Sequence, residues 1–316
     1  MNKVVIVGGL GYIGGRIAKH LSGQGSLEVA VTTRKPCGSP PEWMNGDVLK
    51  IGLEDINALN EVFKNSSAVI HLAAMNEIDS ARDPYLAAKV NGIGAMKSLY
   101  AAINANVPRF LYFSTAHVYG APLEGHLTES VLPLPIHPYA ISHRNAEDWI
   151  TAAHCQGHIS GIVLRLSNGV GSPASLHANR WTLLVNDLCR QAVTHGTLTL
   201  RTSGNDLRNF ITLEDIELAV DHLLTVPVTE LKDGLFNLGG TLTCSVLEMA
   251  ERIVRKGKKI LGKEIPVYRP DKPTAPHASF LNYDWGKLAA TGYSPRSNYD
   301  TEISDTLKFC VEHFSS

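Results

Sequence analysis

The chain has little of what would place it in several common classes of protein. Five cysteines stand at positions 37, 155, 189, 244 and 310, and no two of them form a Cys-x-x-Cys pair. That spacing provides no disulfide framework and no zinc site, and it is typical of a reducing cytoplasm. No apolar run approaches the roughly 18 residues of a membrane helix, and a formal net charge of −1 gives no basic surface for nucleic acid or membrane. We therefore expect a cytoplasmic protein without a metal site that binds neither nucleic acid nor membrane.

A glycine-rich turn near the start of the chain is the clearest local motif. Residues 3–7 are apolar and mostly β-branched, which predicts a buried strand, and an amphipathic helix follows the sequence GGLGYIG of residues 8–14. Glycine permits a tight turn and a close approach of the backbone to a pyrophosphate, and the helix amino terminus offers free N–H groups. The order of strand, glycines and helix predicts a dinucleotide site at Gly8, Gly11, Tyr12 and Ile13. The alternative is a glycine-rich turn in an ordinary βα unit.

The end of the second strand bears on the choice of cofactor. Leu27–Thr33 is predicted to be a strand, and the position about 20 residues beyond the glycines normally carries an acid that accepts hydrogen bonds from the adenine ribose. Thr33 stands there, followed by Arg34 and Lys35. A cation in place of the acid favours the 2′-phosphate of NADP(H) over NAD(H). The alternative is that Arg34 is only a solvated loop charge.

Strands and helices alternate through the rest of the first half. The pattern predicts a short strand closed by residues 46–48, a helix over 53–64, a strand over 68–74, a helix over 83–106 and a strand over 109–115. Farther along, residues 212–215 (TLED) and 245–248 (SVLE) carry helix-capping patterns. Such βα units indicate an α/β fold, a doubly wound parallel sheet with its ligands at the carboxyl ends of the strands.

Eight segments, in order between residues 3 and 240, carry a resemblance to a known family. They are VVIVGGLGYIGG, VIHLAA, KVNGIGAMKSL, RFLYFSTAHVYG, PYAISH, LRLSNGVG, RNFITLEDI and FNLGG. On these segments the chain resembles the extended short-chain dehydrogenases/reductases, the epimerases, dehydratases and reductases of nucleotide sugars. The resemblance implies a dinucleotide-binding Rossmann domain over residues 1–167 and about 206–239. It also implies a smaller α/β substrate lobe from about 168–205 and 240–316.

The resemblance implies the catalytic residues as well, with one departure. Family members hold a Ser/Thr, a Tyr and a Lys beside the nicotinamide, the last two spaced Y-x-x-x-K on a helix. Thr115 and Tyr139 match, but His143 stands where the lysine is expected. Ionising a tyrosine of pKa near 10 at pH 7 costs about 4 kcal/mol without nearby positive charge. A neutral histidine supplies less of that charge than a lysine.

This departure affects oxidation more than reduction, because a neutral phenol already carries the proton that a new alkoxide needs. We therefore expect a ketone reductase in which Tyr139 is the general acid and Thr115 hydrogen-bonds the carbonyl. His143 would take over the ribose contact of the lysine or pass the proton onward. The alternative is that His143 only fills space after a loss of activity.

Further contacts to the cofactor follow from the resemblance alone. The implied residues are, for the adenine, Asp47 and Val48, and, for the nicotinamide half, Leu72, Ala73 and Ala74. Asn91 would hold the site together by bonding to backbone, which is a structural role.

On the substrate side, the resemblance implies that Asn168 meets the nucleotide phosphates and that Arg208 clamps the diphosphate. Arg180 is a further candidate for an anion contact or a plain surface charge. The 4,6-dehydratases of the family carry Asp-Glu after the threonine, whereas this chain has Ala116 and His117, so dehydration is not expected. His117 is either a substrate contact or a structural histidine.

Together these residues predict an NAD(P)-dependent oxidoreductase that reduces a keto group on a nucleoside-diphosphate sugar. A C4 epimerase with tightly held NAD is the nearest alternative, and a non-catalytic NAD(P)-binding regulatory protein is the second. The resemblance further implies a homodimer formed through the helices at about 84–106 and 139–155.

Overall fold

A computed structural model describes residues 2–34, 39–178, 180–270 and 280–315, so Lys35 lies outside the described residues. The strands are β1 (Asn2–Val7), β2 (Leu27–Thr33), β3 (Asp47–Lys50), β4 (Ser66–His71), β5 (Arg109–Thr115), β6 (Gly125–Leu127), β7 (Ser160–Leu166), β8 (Asn168–Val170), β9 (Leu198–Thr199), β10 (Leu207–Thr212), β11 (Leu235–Leu238), β12 (Leu242–Ser245), β13 (Val267–Tyr268) and β14 (Leu281–Tyr283). The helices are α1 (Tyr12–Gly23), α2 (Ile56–Phe63), α3 (Glu77–Arg82), α4 (Pro84–Ala87), α5 (Gly94–Asn104), α6 (Pro138–Cys155), α7 (Leu184–Thr194), α8 (Leu213–Thr225), α9 (Val246–Leu261), α10 (Gly286–Ala289) and α11 (Tyr299–Phe314). A π-helical segment, Ala88–Ile93, joins α4 to α5, so the single helix predicted over residues 83–106 is interrupted.

A parallel sheet of seven strands forms the centre of the fold. Its strand order is β11-β7-β5-β4-β1-β2-β3. Successive side chains of a strand point to opposite faces, and on β1 Val4 and Ile6 pack in one apolar cluster with α1 and α8. Val5 and Val7 pack in another cluster with α2, α5 and α6. A parallel sheet covered by helices on both faces is the doubly wound arrangement that the sequence predicted, and that prediction is confirmed.

Smaller sheets lie outside the large one. β10 pairs antiparallel with β12 and parallel with β8, while β9 pairs with β13 and β6 with β14. A third apolar cluster forms among α7, α9 and α11, around the fully buried side chains of Ile253 and Leu307. These elements confirm the predicted smaller part of the fold in the C-terminal half. Within the described ranges, no helix combines the length and the apolar character needed to cross a membrane.

Both predicted helix caps are present. The Thr212 hydroxyl accepts a hydrogen bond from the N–H of Asp215 at 3.0 Å where α8 begins. At the start of α9, the N–H of Glu248 donates to the Ser245 hydroxyl and the N–H of Ser245 donates to the Glu248 carboxylate. These bonds satisfy N–H groups that have no acceptor within the helix.

The prediction that a strand closes at residues 46–48 is wrong. Asp47 instead begins β3, where it pairs with Ala30 of β2, and Lys50 pairs with Thr33 where β2 ends. The parallel register with β2 decides where β3 runs, and it carries Asp47 and Val48 to the amino end of the strand. A ligand of a parallel sheet would lie at the carboxyl end of β3, and Asp47 and Val48 are not at that end.

Arg16 of α1 connects the first βα unit to the last helix of the chain. Its guanidinium donates to Glu302 of α11 at 2.8 Å, to Glu217 of α8 at 2.7 Å and to the carbonyl of Ser172 at 3.1 Å. Glu302 is only 5% exposed, and it also accepts from the N–H of Glu214. A buried carboxylate is stable only with such partners, so Arg16 ties three helices together.

Candidate active site

A cleft of about 730 Å³ opens at the carboxyl ends of the central strands. Its volume is within the range of small-molecule sites. The predicted site residues that line it are Gly8, Gly11, Tyr12, Ile13, Arg34, Leu72, Ala73, Ala74, Thr115, His117, Tyr139, His143 and Asn168. Asp47, Val48 and Arg208 are not among its lining residues. In the described part of the chain, no group of three or more His, Cys, Asp or Glu side chains is arranged to hold a metal ion.

Glycine at position 8 allows the turn to pack closely against the loop that follows β4. Gly8 has φ +84°, and a Cβ on it would lie 2.8 Å from the backbone nitrogen of Ala73. Gly11 precedes α1 without offering any side-chain cap, so the first N–H groups of the helix have no protein acceptor from that residue. The hydroxyl of Tyr12 points into the core and donates to the carbonyl of Gly171 at 2.7 Å, so Tyr12 offers the cleft its backbone rather than its phenol. A bare turn at a helix amino terminus fits a pyrophosphate.

Two residues expected to contact the adenine do not line the cleft. Asp47 and Val48 lie at the start of β3, and the residues that line the cleft beyond that strand are Ile51 and Leu53. Arg34 lines the same region and is exposed at the end of β2. A correct placement required the pairing of β3 with β2, which the local sequence does not reveal.

The loop after β4 is held by Asn91, as predicted. The Asn91 side-chain carbonyl accepts a hydrogen bond from the N–H of Met75 at 2.7 Å, and its amide donates to the Ser142 hydroxyl at 3.0 Å. The side chain is 1% exposed. These bonds join the π-helical segment, the loop that carries Ala73 and Ala74, and α6.

Thr115 and Tyr139 both line the cleft, and their side chains are neighbours. Thr115 ends β5, and Tyr139 lies in the first turn of α6, after Pro138. Burial raises the pKa of the Tyr139 phenol, and the negative charge of Glu77 raises it further, whereas Arg180 and a hydrogen bond from Thr115 oppose the rise. The phenol therefore keeps its proton at neutral pH.

His143 lies one turn after Tyr139, and its ring is 2% exposed. Its centroid is 4.4 Å from that of the Tyr139 ring. Burial lowers the pKa of His143 to about 3. Its Nδ1 is 2.7 Å from the hydroxyl of Tyr112 on β5, and its Nε2 has no hydrogen-bond partner among the described residues. The residue at the lysine position is therefore a neutral imidazole.

Glu77 and Arg180 form an ion pair at the wall of the cleft. Their N–O distance is 3.3 Å, and both residues line the cleft. The two residues are 103 positions apart, and no pattern in the sequence pairs them. Glu77 was missed by the sequence analysis, and Arg180 was identified only as a candidate charge.

Of the predicted substrate-binding residues, Asn168 and His117 line the cleft and Arg208 does not. Asn168 lines the cleft and donates its side-chain amide to the carbonyl of Asn209 at 2.9 Å. His117 also lines it, and burial lowers the pKa of its ring. Arg208 lies on β10, two residues before Phe210, which does line the cleft, and the charge of Arg208 contributes to the lowered pKa of His117. Arg208 is thus beside the cleft rather than in its wall.

Known proteins resemble this chain along most of its length. A family model described as "NAD dependent epimerase/dehydratase family" matches residues 4–239. The chain is 26% identical to a UDP-glucose 4-epimerase of Lactobacillus helveticus over 335 residues, which covers 98% of each chain.

Two solved structures have a similar fold. One is UDP-N-acetylglucosamine 4-epimerase from Methanobrevibacter ruminantium M1 in complex with UDP-N-acetylmuramic acid, with a TM-score of 0.83, 22% identity and 98% coverage of both chains. The other is UDP-glucuronic acid 4-epimerase from Bacillus cereus in complex with UDP-glucuronic acid and NAD, with a TM-score of 0.80 and 20% identity, covering 98% of this chain and 99% of that one. At these identities, the structural similarity concerns the fold alone.

Proposed function

The chain belongs to the NAD dependent epimerase/dehydratase family, and from that membership we propose that it transfers hydride between a nicotinamide dinucleotide and the sugar of a nucleoside diphosphate. Within this class we propose net reduction of a keto group, with Tyr139 as the proton donor. The charges around Tyr139 support net reduction, whereas the comparisons with known proteins support epimerisation.

The observation that supports reduction is the lack of net positive charge acting on Tyr139. Among the described residues, the charged side chains that affect its pKa are Glu77 and Arg180, and their effects have opposite signs. His143 adds no charge at neutral pH, because its pKa is near 3. A phenol that keeps its proton can donate it, whereas oxidation of an alcohol requires the phenolate as base.

Three residues would have separate roles in the reaction. Tyr139 would give its proton to the carbonyl oxygen as that oxygen becomes an alkoxide. The Thr115 hydroxyl would hold the same oxygen, because it is close enough to the phenol to lower its pKa. His143 would offer its unpartnered Nε2 to the cleft in place of the lysine ammonium.

The cofactor supplies the hydride when bound, and the chain's part is to hold it. We propose that Gly8, Gly11 and the first N–H groups of α1, at Tyr12 and Ile13, hold the pyrophosphate, and that residues 72–74 lie along the nicotinamide half. The description of the family names NAD. The exposed guanidinium of Arg34 is the observation that favours the 2′-phosphate of NADP(H).

The substrate is proposed to be a nucleoside-diphosphate sugar, because both structures of similar fold hold a UDP-linked ligand. Asn168 would contact its phosphates, and Arg208 would approach the diphosphate from beside the cleft. His117, with its lowered pKa, would contact the sugar as a neutral ring.

The second candidate function is C4 epimerisation, and the comparisons favour it over net reduction. The relative from Lactobacillus helveticus and the two structures described above are named as 4-epimerases. Epimerisation oxidises and then reduces the same carbon, so it needs Tyr139 to act as base in one half of the cycle. The neutral His143 is the argument against that half.

We also propose that the chain forms a homodimer through α5 and α6. Tyr100 and Trp149 lie on these helices, are 44% and 41% exposed, and contact each other edge to face. We also propose the division into lobes, with 1–167 and about 206–239 against about 168–205 and 240–316. The separation of the large sheet from the third apolar cluster supports it, whereas β10, within 206–239, pairs with β8 and β12 outside the large sheet.

The deciding experiment measures both reactions with one preparation. The purified protein is incubated with a 4-keto nucleoside-diphosphate sugar and NADH or NADPH, and separately with UDP-glucose, UDP-N-acetylglucosamine or UDP-glucuronic acid without added cofactor. Net reduction predicts loss of absorbance at the reduced-nicotinamide band in the first assay only. A new C4 epimer in the second assay identifies the epimerase instead.

Tyr139→Phe is the matched control, since it removes one hydroxyl from the cleft. Loss of a general acid lowers kcat by about 10²- to 10⁴-fold, while binding of the cofactor should persist. Binding of both ligands to the unaltered protein with no turnover in either assay would identify the non-catalytic alternative.

A further inference from the structure

Tyr112 and His143 form a buried hydrogen bond whose direction depends on which nitrogen of His143 carries the proton. The Tyr112 hydroxyl on β5 and Nδ1 of His143 on α6 are 2.7 Å apart, and both side chains are 2% exposed. The phenol has one proton to donate, and a neutral imidazole has one N–H and one bare nitrogen. Either group can be the donor in this bond, and the rest of the structure decides which arrangement is stable.

If Nδ1 of His143 carried the proton, it would donate to Tyr112. The phenolic proton would then need another acceptor, and the structure shows His143 as the hydrogen-bond partner of that hydroxyl. Nε2 of His143 would also be a bare, buried acceptor. Buried polar groups without partners are costly, so this arrangement is disfavoured.

If Tyr112 donates, the phenolic proton and Nδ1 satisfy each other. His143 then carries its own proton on Nε2, the atom that has no partner within the described protein. Nε2 is buried, and His143 is among the residues that line the cleft, so this N–H would lie inside the protein beside the cleft. Burial keeps the pKa of Tyr112 well above its ordinary value, so the phenol retains the proton that it donates.

We propose that Tyr112 is a positioning residue that fixes the tautomer of His143, with Nδ1 bare and the proton on Nε2, beside the cleft. The pair would thereby give the cleft a hydrogen-bond donor that carries no charge. Its effect on rate rests on the proposed function, since a donor at this place would serve the ribose of the cofactor or the Tyr139 oxygen. The tautomer itself does not depend on any activity.

The titratable side chains near Tyr112 and His143 do not change the assignment of the His143 proton to Nε2. His71 packs against the Tyr112 ring at a centroid distance of 5.8 Å, and burial lowers its pKa to about 4. Its ring is therefore neutral at pH 7.5. Tyr139 keeps its proton as well, and Arg180, whose charge acts on His143, is paired with Glu77.

Nitrogen NMR of the full chain labelled with ¹⁵N-histidine tests the proposal at pH 7.5 without added cofactor. His143→Gln identifies the signals of this ring. We expect the proton on Nε2 in the unaltered protein and a substantial population of the Nδ1–H form in Tyr112→Phe. Tyr119→Phe is the control, because it also removes a buried tyrosine hydroxyl, one that donates to Asn237 instead. It should leave the tautomer unchanged.

A proton on Nδ1 in the unaltered protein overturns the proposal, even if the phenylalanine variant does not fold. An unchanged tautomer in a folded Tyr112→Phe also overturns it. In the reduction assay, the variant should lose about tenfold in kcat with KM for the nucleotide sugar little changed. If the tautomer responds as expected and no variant reduces any sugar, the role of Tyr112 stands and the proposed function fails.

Discussion

The ring of Tyr139 lies edge-on to the ring of His143, with 4.4 Å between their centroids. A positive charge placed at this distance would stabilise the phenolate strongly, because a pair of unit charges about 4 Å apart interacts by roughly 4 kcal/mol at an effective dielectric constant of 20. The existing imidazole supplies none of that energy at neutral pH. The chemistry of the site should therefore respond to the charge at position 143.

His143→Lys should lower the pKa of Tyr139 and raise oxidation relative to reduction. Each unit of pKa corresponds to about tenfold in the phenolate fraction, so we expect the ratio of the two initial rates to shift by at least about tenfold. The ratio is measured from pH–rate profiles in both directions. His143→Gln is the neutral control and should not shift it. An unchanged ratio in the lysine variant would refute the role assigned to the histidine.

Arg34→Ala should weaken NADPH binding while leaving NADH binding nearly unchanged. A hydrogen bond to a charged group contributes about 1.5–3 kcal/mol, which corresponds to roughly 10- to 100-fold in Kd. Fluorescence titration of the two reduced cofactors measures both constants. Lys19→Ala removes an exposed cation elsewhere on the first βα unit and serves as the control. Equal losses for the two cofactors would mean that Arg34 does not contact a 2′-phosphate.

Acid should destabilise the protein through its buried histidines. His71 is 1% exposed, and burial lowers its pKa to about 4 from an ordinary value near 6.5. Between these values the unfolded chain binds more protons than the folded chain, so stability falls as the pH falls from about 6.5 to 4. The loss from this one residue is about 2 kcal/mol at pH 5.

His71→Gln should therefore flatten the pH dependence of the free energy of unfolding between pH 7 and pH 5, as measured by urea titration. His143, with a pKa near 3, acts with the same sign and remains in this variant. His158 is exposed, so His158→Gln should leave the slope unchanged. A slope in His71→Gln equal to that of the unaltered protein would contradict the assignment.

Trp149→Glu should convert a dimer into a monomer. The side chain is 41% exposed in the single chain, so the substitution costs the isolated fold little, whereas a buried carboxylate would disrupt an interface. Sedimentation equilibrium measures the mass of the species. Phe280→Glu changes another exposed aromatic residue, 57% exposed and outside α5 and α6, and should leave the dimer intact. A monomeric unaltered protein would remove the basis of this prediction.

Sequence reasoning succeeded where the determinants are local. The predicted bounds of the strands Leu27–Thr33 and Arg109–Thr115 are those observed. The capping patterns at Thr212 and Ser245 form as predicted, because each involves residues within one turn of a helix. The glycine turn is similarly self-contained, and it lines the cleft.

The same reasoning failed where distant residues decide the outcome. Asp47 lies at the start of β3, away from its carboxyl end, because of the register of β3 on β2, which the sequence near it does not encode. The partners Tyr112 and His143 are 31 positions apart, and no periodic pattern connects them. A substitution from lysine to histidine was readable in the sequence, but the neutrality of that histidine required its burial.

The ion pair between Arg16 and Glu302 has a consequence for how the chain folds during its synthesis. The helix that would receive the phosphates is anchored by a carboxylate in the last 16-residue helix, 286 positions later. During synthesis, the Arg16 guanidinium can therefore acquire both carboxylate partners only after Glu302 has left the ribosome. A ribosome-stalled nascent chain ending before residue 299 would lack α11, so that Arg16 could pair with Glu217 but not with Glu302.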